Sequence, residues 1–379
     1  MGTLKQQNIN RVIVRGTNWV GDAVMTIPAG RELRRLLPGA HITLAIKPWA
    51  KELFADADFL DELLIYDRRG PWSAVKQSAA WRRGNFDLAV LFPNAFEAAL
   101  IPALARVPFR IGYATDGRSR LLTNPLPVPE WRSSKHEIYY YLNIVAELER
   151  ALVGSKQIAD GPPDASLQIS EPRQSEAFDL LRAQGLREGR AMVALCPGSI
   201  NSRAKRWPAE RYGALADRLI EELNTEILLI GSSGELDVSQ EVKRCMRNRP
   251  IIMTGKTSLA QVAAVLSLVD LLVTNDTGPA HIAGALGRPT LVIFGPTNPI
   301  TTRPFSPLTE IVRHPPDCAP CMLRDCPIDH RCMTAISPQD VFQRAMLLLL
   351  GRTLAPATRH GSSLDAWESV STIQQVALV

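Results

Sequence analysis

The stretch Asp270–Gly295 reads D-L-L-V-T-N-D-T-G-P-A-H-I-A-G-A-L-G-R-P-T-L-V-I-F-G, and its pattern decides the fold. Leu271 to Thr274 is a short apolar run with the size and composition of a buried parallel strand, and Thr290 to Phe294 is a second. Between them lies one short helix. Thr277 or Gly278 suits its N-cap, Pro279 its first helical position, and Gly287 the left-handed residue past its C-terminus, followed at once by Arg288-Pro289. Asp276-Thr277-Gly278 is therefore a turn from a strand end into a helix N-terminus. Free backbone N–H groups and the positive end of the helix dipole meet there, which suits a phosphate, although an ordinary capped turn that binds nothing reads the same way.

Upstream, Ala191 to Cys196 reads as a strand, Pro197 to Trp207 as a loop, and Pro208 as the first residue of a helix. Tyr212, Leu215, Ala216, Leu219 and Leu223 form the apolar face of that helix. Glu226 to Ile230 is the next strand, ending at Gly231. Ligands of parallel sheets sit outside the carboxyl ends of the strands. The loop Cys196–Trp207 and the turn Asp276-Thr277-Gly278 lie at two such ends. In one sheet they would open on the same cleft, with Ser199 and Lys205 near the phosphate seat.

The first half opens in the same way. R-V-I-V-R at Arg11–Arg15 is a strand, Gly16 to Gly21 a loop, Asp22 to Leu37 a helix stopped by Pro38-Gly39, and Ile42 to Ile46 the next strand, a right-handed βαβ unit. The loop G-T-N-W-V-G-D-A has the glycine spacing of a nucleotide P-loop but carries Asp22 and Ala23 where that motif needs Lys and Ser or Thr. A carboxylate there repels phosphate. G-x-G-x-x-G is absent, and the second strand runs into Lys47-Pro48 without an acidic grip for a ribose, so it is not a dinucleotide fingerprint either. What remains is an acidic side chain at a helix start, directly after a glycine. It either stabilises the helix or acts as a general base.

Further strands are expected at Glu62–Tyr66 and Asp87–Leu91, the second leading into Phe92-Pro93-Asn94. Arg110–Tyr113 and Thr115–Arg118 read as a turn-rich loop. Its cations, Arg118 among them, would suit an anionic acceptor, though solvated surface is the commoner fate of such charges. Lys135-His136-Glu137 opens a helix through Tyr139, Leu142 and Val145, and Gly154 to Pro163 has a linker's composition. The expected architecture is α/β with two Rossmann-like domains: residues 1–160, residues 161–350, and a polar extension over 351–379.

Composition sets the bounds. With 379 residues, two domains are the natural expectation, and 46% hydrophobic with 21% charged residues is an ordinary globular balance. Met1 to Asn10 is polar, and Ala345 to Leu350 is too short an apolar run to span a membrane, so a cytoplasmic protein with reduced cysteines is expected. The formal charge of +5 permits attraction to an anionic substrate or to the inner-membrane surface, and no motif points to nucleic acid.

Together these residues resemble the bacterial ADP-heptose lipopolysaccharide heptosyltransferases, glycosyltransferase family 9, of GT-B fold. The similarity runs from about Arg11 to Val341. It is carried by N-W-V-G-D at Asn18–Asp22, R-I-G-Y and D-G-R within Arg110–Arg118, P-G-S and A-K-R-W-P within Pro197–Pro208, G-K-T-S-L at Gly255–Leu259, D-T-G-P-x-H at Asp276–His281 and F-G-P-T at Phe294–Thr297. Trp-Val before Gly-Asp and Arg-Trp-Pro after Lys205 look more like the type II branch than type I.

The resemblance implies two domains facing across a cleft and inverting transfer of L-glycero-D-manno-heptose from ADP-heptose to the first heptose of the lipopolysaccharide inner core, without a cofactor. By it Asp22 matches the catalytic base and Lys205 the donor-phosphate lysine. Thr277, Gly278 and His281 match the diphosphate loop, with Asp276 supporting it; Ser199 joins the donor side and Arg118 the acceptor side. After Ile230 the sequence G-S-S-G-E-L-D offers only Glu235 as a candidate donor-ribose ligand. Another GT-B transferase, a sugar-nucleotide epimerase and a non-catalytic ADP-sugar sensor remain as rival readings.

Cys318, Cys321, Cys326 and Cys332 form C-x2-C-x4-C-x5-C in a Pro-rich loop near His314 and His330. Zinc is one reading, but only the first pair has zinc-finger spacing, and no metal is assigned to the site. Cys196 and Cys245 are expected to be packed thiols.

Overall fold

A computed structural model describes residues 9–66, 70, 72–155 and 162–354, with side chains described as far as Gly351. The chain divides into two compact units, Met1–Ser170 with Pro299–Arg303, and Glu171–Asn298 with Pro304–Val379. The expected linker Gly154–Pro163 and the boundary at 160/161 fall largely outside the described residues. So does the expected extension after Leu354.

The first unit runs β1 (Arg11–Arg15), α1 (Val20–Met25), α2 (Ile27–Leu36), β2 (His41–Ile46), β3 (Glu62–Ile65), α3 (Ser73–Arg83), β4 (Leu88–Leu91), α4 (Phe96–Leu104), β5 (Phe109–Tyr113), β6 (Asn124–Leu126) and α5 (Glu137–Val153). Its strands pair in parallel in the order β3-β2-β1-β4-β5-β6. β1 is central, and Val12, Ile13 and Val14 are all buried, as a strand covered on both faces requires. Ile13, Ala89 and Leu91 from the sheet pack with Trp81 of α3 and with Phe86, Ala99 and Ile101 in one core cluster.

Two expectations in this unit are corrected. The helix foreseen over Asp22–Leu37 starts earlier, at Val20, and breaks at Thr26. Pro28 has no N–H to continue the hydrogen-bond ladder, and the Thr26 hydroxyl donates back to the Ala23 carbonyl (2.7 Å), so the chain restarts as α2 with Pro28 in its first turn. Arg110–Tyr113, read as loop, is part of β5, because Ile111 and Tyr113 are core residues and the Arg110 guanidinium donates to the Leu121 carbonyl (2.7 Å) beside the strand.

The second unit runs α6 (Glu171–Ala183), β7 (Met192–Cys196), α7 (Ala209–Leu223), β8 (Glu226–Leu229), α8 (Leu236–Cys245), β9 (Ile251–Ile252), α9 (Leu259–Leu266), β10 (Leu271–Asn275), α10 (Gly278–Ala285), β11 (Thr290–Phe294), α11 (Pro299–Thr302), β12 (Thr309–Arg313), α12 (Arg331–Thr334) and α13 (Pro338–Leu354). All of α11 belongs with the first unit. The sheet order is β12-β11-β10-β7-β8-β9, again wholly parallel. Counted from each unit's first strand, both sheets follow 3-2-1-4-5-6, the Rossmann order. The order reverses between β1 and β4 in one unit and between β7 and β10 in the other, and the crevice outside those strand ends is where such sheets bind ligands. Tyr212, Leu215, Ala216 and Leu219 of α7 form the buried face expected of them.

Gly213 of α7 lies against Cys245 at the end of α8. A Cβ there would lie 2.8 Å from Cys245 Cβ and 3.1 Å from the Cys245 carbonyl carbon. Gly213→Ala gains about 1 kcal/mol of helix propensity, whereas overpacking against backbone costs about 1 to 3 kcal/mol. The second effect should win, lowering stability by about 1 kcal/mol in a urea titration. A midpoint equal to or above wild type would mean that α8 retreats freely.

Candidate functional site

Both switch points carry polar constellations, each within its own unit. In the first, the chain leaves β1 through Gly16, where a Cβ would sit 2.7 Å from Ile46 Cγ2, so the residue must lack one to pass. Trp19, in an extended conformation, is the N-cap of α1, and Asp22 falls in the first turn. That position puts its carboxylate in the favourable field of the helix N-terminus. A cavity of about 160 Å³ opens beside it, walled by Thr17, Asn18, Trp19 and Asp22 after β1, by Phe92, Pro93 and Asn94 after β4, and by Glu137, Tyr140 and Tyr141 of α5.

Hydrogen bonds and an ion pair join several of the wall residues. The Tyr141 hydroxyl donates to Asp22 Oδ1 over 3.4 Å. Burial, with the Asp22 charge adding to it, holds the Tyr141 phenol well above its ordinary value, so it remains a donor at physiological pH. Asn94 Nδ2 donates to the Tyr140 hydroxyl (3.1 Å). Arg132 grips the Glu137 carboxylate with two nitrogens, Nη1 to Oε2 and Nη2 to Oε1 (2.8 Å), and its guanidinium lies 4.0 Å from the Tyr140 ring centre. Thr17 Oγ1 is buried without a hydrogen-bond partner.

Arg118, expected on the acceptor side, is not at this surface. It is fully buried, and its guanidinium donates to the carbonyls of Tyr113 (2.8 Å), Pro93 and Ala95 (3.3 Å). Burial pushes its pKa down to about 10. The turn through Asp116 and Gly117, both at positive φ, folds the side chain inward, where it fixes the loop after β4 that carries Asn94.

At the second switch point the organising residue is Asn275, the last of β10, with no solvent exposure. Its Nδ2 donates to the carbonyls of Pro197 (2.8 Å) and Gly198 (3.2 Å), and its Oδ1 accepts from Trp207 N (3.0 Å) and the Tyr212 hydroxyl (3.2 Å). Every donor and lone pair of the amide is used. The loop after β7 is thereby fastened at both ends to the end of β10. Lys205, on that loop, donates through Nζ to Asp276 Oδ2 (2.7 Å) and to the Asp276 carbonyl (3.2 Å). The Thr297 hydroxyl donates to the same Oδ2 (2.8 Å). Asp276 is buried, while a quarter of the Lys205 side chain is exposed.

Thr277 is the N-cap of α10 and shares a hydroxyl contact with Thr274 (3.0 Å); Gly278 is the first helical residue and Pro279 the second. Gly287 adopts the positive φ expected of it. Ser199 and His281 are both buried, and the Ser199 carbonyl accepts from Arg206 Nη2 (3.0 Å). The structure thus gathers Ser199, Lys205, Asp276, Thr277, Gly278 and His281 on two adjacent strand-end segments. Glu235 joins them: it accepts from Ser232 N (2.8 Å), and its carboxylate fills the space where Gly198 has no side chain.

The Pro-rich cysteine segment braces the Lys205 loop. Ala204 N donates to the Arg324 carbonyl (2.9 Å), Ser202 Oγ to the same oxygen (3.1 Å), and His330 Nε2 contacts the Ala204 carbonyl (2.6 Å). Its thiols are free, with Cys318 and Cys321 exposed and Cys332 buried. Among the described residues no group of three or more His, Cys, Asp or Glu is arranged to hold a metal ion. Cys196 is a packed thiol, but Cys245, expected to be one, is exposed where α8 ends.

Sequence reading missed Thr17, Glu137, Tyr141 and Asn275. Asn275 had a signal, since an amide ending an apolar strand that becomes wholly buried must be spent on hydrogen bonds. The others gave none that separates them from ordinary loop and helix residues.

Among known proteins, the family described as glycosyltransferase family 9 (heptosyltransferase) matches residues 75–331. Lipopolysaccharide heptosyltransferase 2 of Escherichia coli strain K12 is 28% identical over 320 residues, covering 80% of this chain and 88% of that one. The solved structure of E. coli ADP-heptose LPS heptosyltransferase II superposes with a TM-score of 0.77 at 26% identity, covering 90% of this chain and 99% of that one. The fold is also that of a glycosyl transferase family 9 protein from Veillonella parvula, with a TM-score of 0.79 at 23% identity over 92% of this chain and 100% of the other. With the matched span exceeding half of its length and taking in the second switch point whole, the chain belongs to glycosyltransferase family 9, the heptosyltransferases.

Proposed function

We propose that this glycosyltransferase moves L-glycero-D-manno-heptose from ADP-heptose to the first heptose of the lipopolysaccharide inner core, with inversion. The observation that carries this reading is the Asp22 cavity at the switch point of the first unit. It sets the Asp22 carboxylate among tyrosines, an asparagine and a second carboxylate, Glu137, a lining suited to an acceptor sugar, and it does so in a heptosyltransferase.

In a single displacement the acceptor oxygen forms a bond to the anomeric carbon as the bond from that carbon to the diphosphate oxygen breaks. Asp22 takes the acceptor proton, and the electron pair of the broken bond leaves with ADP. Lys205 and the first turn of α10 at Thr277 and Gly278 supply positive charge and N–H donors for the charge growing on the diphosphate. Asp276 keeps Lys205 extended, Glu235 is the candidate for the donor ribose, and Ser199 and His281 complete the donor side.

The acceptor is an amphiphile, and the rim of the first sheet suits a membrane surface. Trp19, Trp72 and Phe96, at the starts of α1, α3 and α4, are 56%, 71% and 47% exposed, and Lys47 and Lys51 follow β2 on the same rim. Tryptophan flanked by cations favours the interface of an anionic bilayer. No helix among the described residues is long and apolar enough to cross one, so the contact proposed is peripheral, on the cytoplasmic face.

One experiment tests the proposal: purified protein, ADP-heptose and a heptose-terminated core glycolipid in anionic vesicles, with product mass and co-sedimentation measured. The expected result is a single added heptose and protein recovered with the vesicles. Turnover with UDP-sugars instead, or ADP-heptose binding without turnover on any core acceptor, would overturn it, and protein left wholly in the supernatant would remove the membrane. Separately, Lys205→Ala should weaken ADP binding by about 1.5 to 3 kcal/mol, the scale of a charge-assisted hydrogen bond. Calorimetry showing unchanged ADP affinity would take Lys205 out of the donor site.

A further inference from the structure

Glu137 stands on the cavity wall with Asp22, a second carboxylate that the displacement itself does not use. It is buried at the first turn of α5, and Arg132 holds it by two nitrogens from the short helix ahead of α5. Tyr141, one turn further along α5, donates to Asp22 and interacts with Glu137 as well. The phenol's one proton goes to Asp22, and its oxygen lies close to Glu137.

We propose that Glu137 is a positioning residue for the transfer reaction: clamped by Arg132 and linked through Tyr141, it orients the Asp22 carboxylate and makes it a stronger base toward the acceptor hydroxyl. The inference rests on Asp22 acting as the base, as proposed above. Its physical content is the balance of one anion and one cation set behind another anion. Burial pushes the Glu137 carboxyl above its ordinary value, the Arg132 guanidinium opposes that, and the Asp22 charge adds to it, so the two carboxylates feel each other.

The groups that face this pair are few. From α5 they are Glu137, Tyr140 and Tyr141, and from the preceding short helix Arg132. The loop after β4 contributes the neutral Asn94. Arg15, ending β1, reaches Asn18 on the wall (3.1 Å). Of the cations of helix α2, Arg31 pairs with Asp58 (2.9 Å), Arg34 with Asp61, and Arg35 with Glu32 (2.7 Å) and with Glu149 of α5 (2.9 Å), three turns beyond Glu137. His136, the N-cap of α5, is pushed down to about 4 by burial and stays neutral over the working range.

The test is the pH profile of kcat/KM, because opposite charges must act with opposite signs. A carboxylate neighbour raises the pKa of a base and a cation lowers it, so Glu137→Gln should move the acidic limb to lower pH and Arg132→Gln should move it to higher pH, each by about 0.5 to 1 unit. KM for ADP-heptose should stay within about twofold in both, since the donor residues belong to the other unit. A purely structural role would lower kcat in both variants and leave the limb in place, which overturns the inference. If Glu137→Gln does not fold, the direction of the Arg132→Gln shift decides alone: upward supports the inference, unmoved or downward overturns it. A wild-type profile with no acidic limb would instead remove Asp22 as the base, a failure distinct from a limb that is present and unmoved.

Discussion

Asn275 is a side chain with four hydrogen bonds and no access to water, and the donor half of the site depends on it. Its amide joins the end of β10 to the start and the end of the loop after β7. Without that tie a loop of some ten residues bearing Ser202, Arg203, Lys205 and Arg206 would have no fixed register against the turn at Asp276. With it, Lys205 meets Asp276 at 2.7 Å, and Thr297 completes the carboxylate's shell. A buried ion pair of this kind contributes little net stability, because desolvation offsets most of the attraction. Its value lies in holding a cation in a fixed place before any ligand arrives, so that little reorganisation accompanies the charge that develops on a leaving diphosphate.

The two units solve the same topological problem twice and furnish it differently. Both place their constellations where the strand order reverses, the one point in a parallel sheet at which adjacent loops diverge and leave a crevice. The first unit lines its crevice with two carboxylates, tyrosines and an asparagine, a wall suited to a sugar. The second supplies a lysine, a helix N-terminus and a buried Asp, a wall suited to a diphosphate. Membership in glycosyltransferase family 9 gives these two walls a common reaction.

Much of this was legible in the residues, and the reasons are physical. Leu271–Asn275 and Thr290–Phe294 could only be buried strands, and Thr277, Pro279 and Gly287 punctuate the helix between them by rules that depend on local sterics alone. Asp22 stood out because a carboxylate replaced the residues a phosphate loop needs. What escaped depended on contacts distant in sequence. Arg118 lies 23 residues or more from two of the carbonyls that bury it, so its charge suggested a surface it does not reach. Glu137 and Tyr141 meet Asp22 across more than a hundred residues, and periodicity records only that they lie on a helix. The break at Thr26 was foreseeable from Pro28, and Cys245 is exposed because α8 ends there.

The account stands on Asp22 as a base and not as a helix stabiliser, and Asp22→Asn separates the two. Asn keeps the shape, and the charge-to-dipole interaction lost is only about 0.3 to 1 kcal/mol, but the amide cannot accept the acceptor's proton. In steady-state kinetics on the core acceptor, alongside calorimetry with ADP-heptose, the account requires kcat to fall by about 10² to 10⁴ while donor affinity and the unfolding midpoint stay near wild type. A variant that turns over at close to the normal rate, or one whose only defect is that it no longer folds, would contradict it.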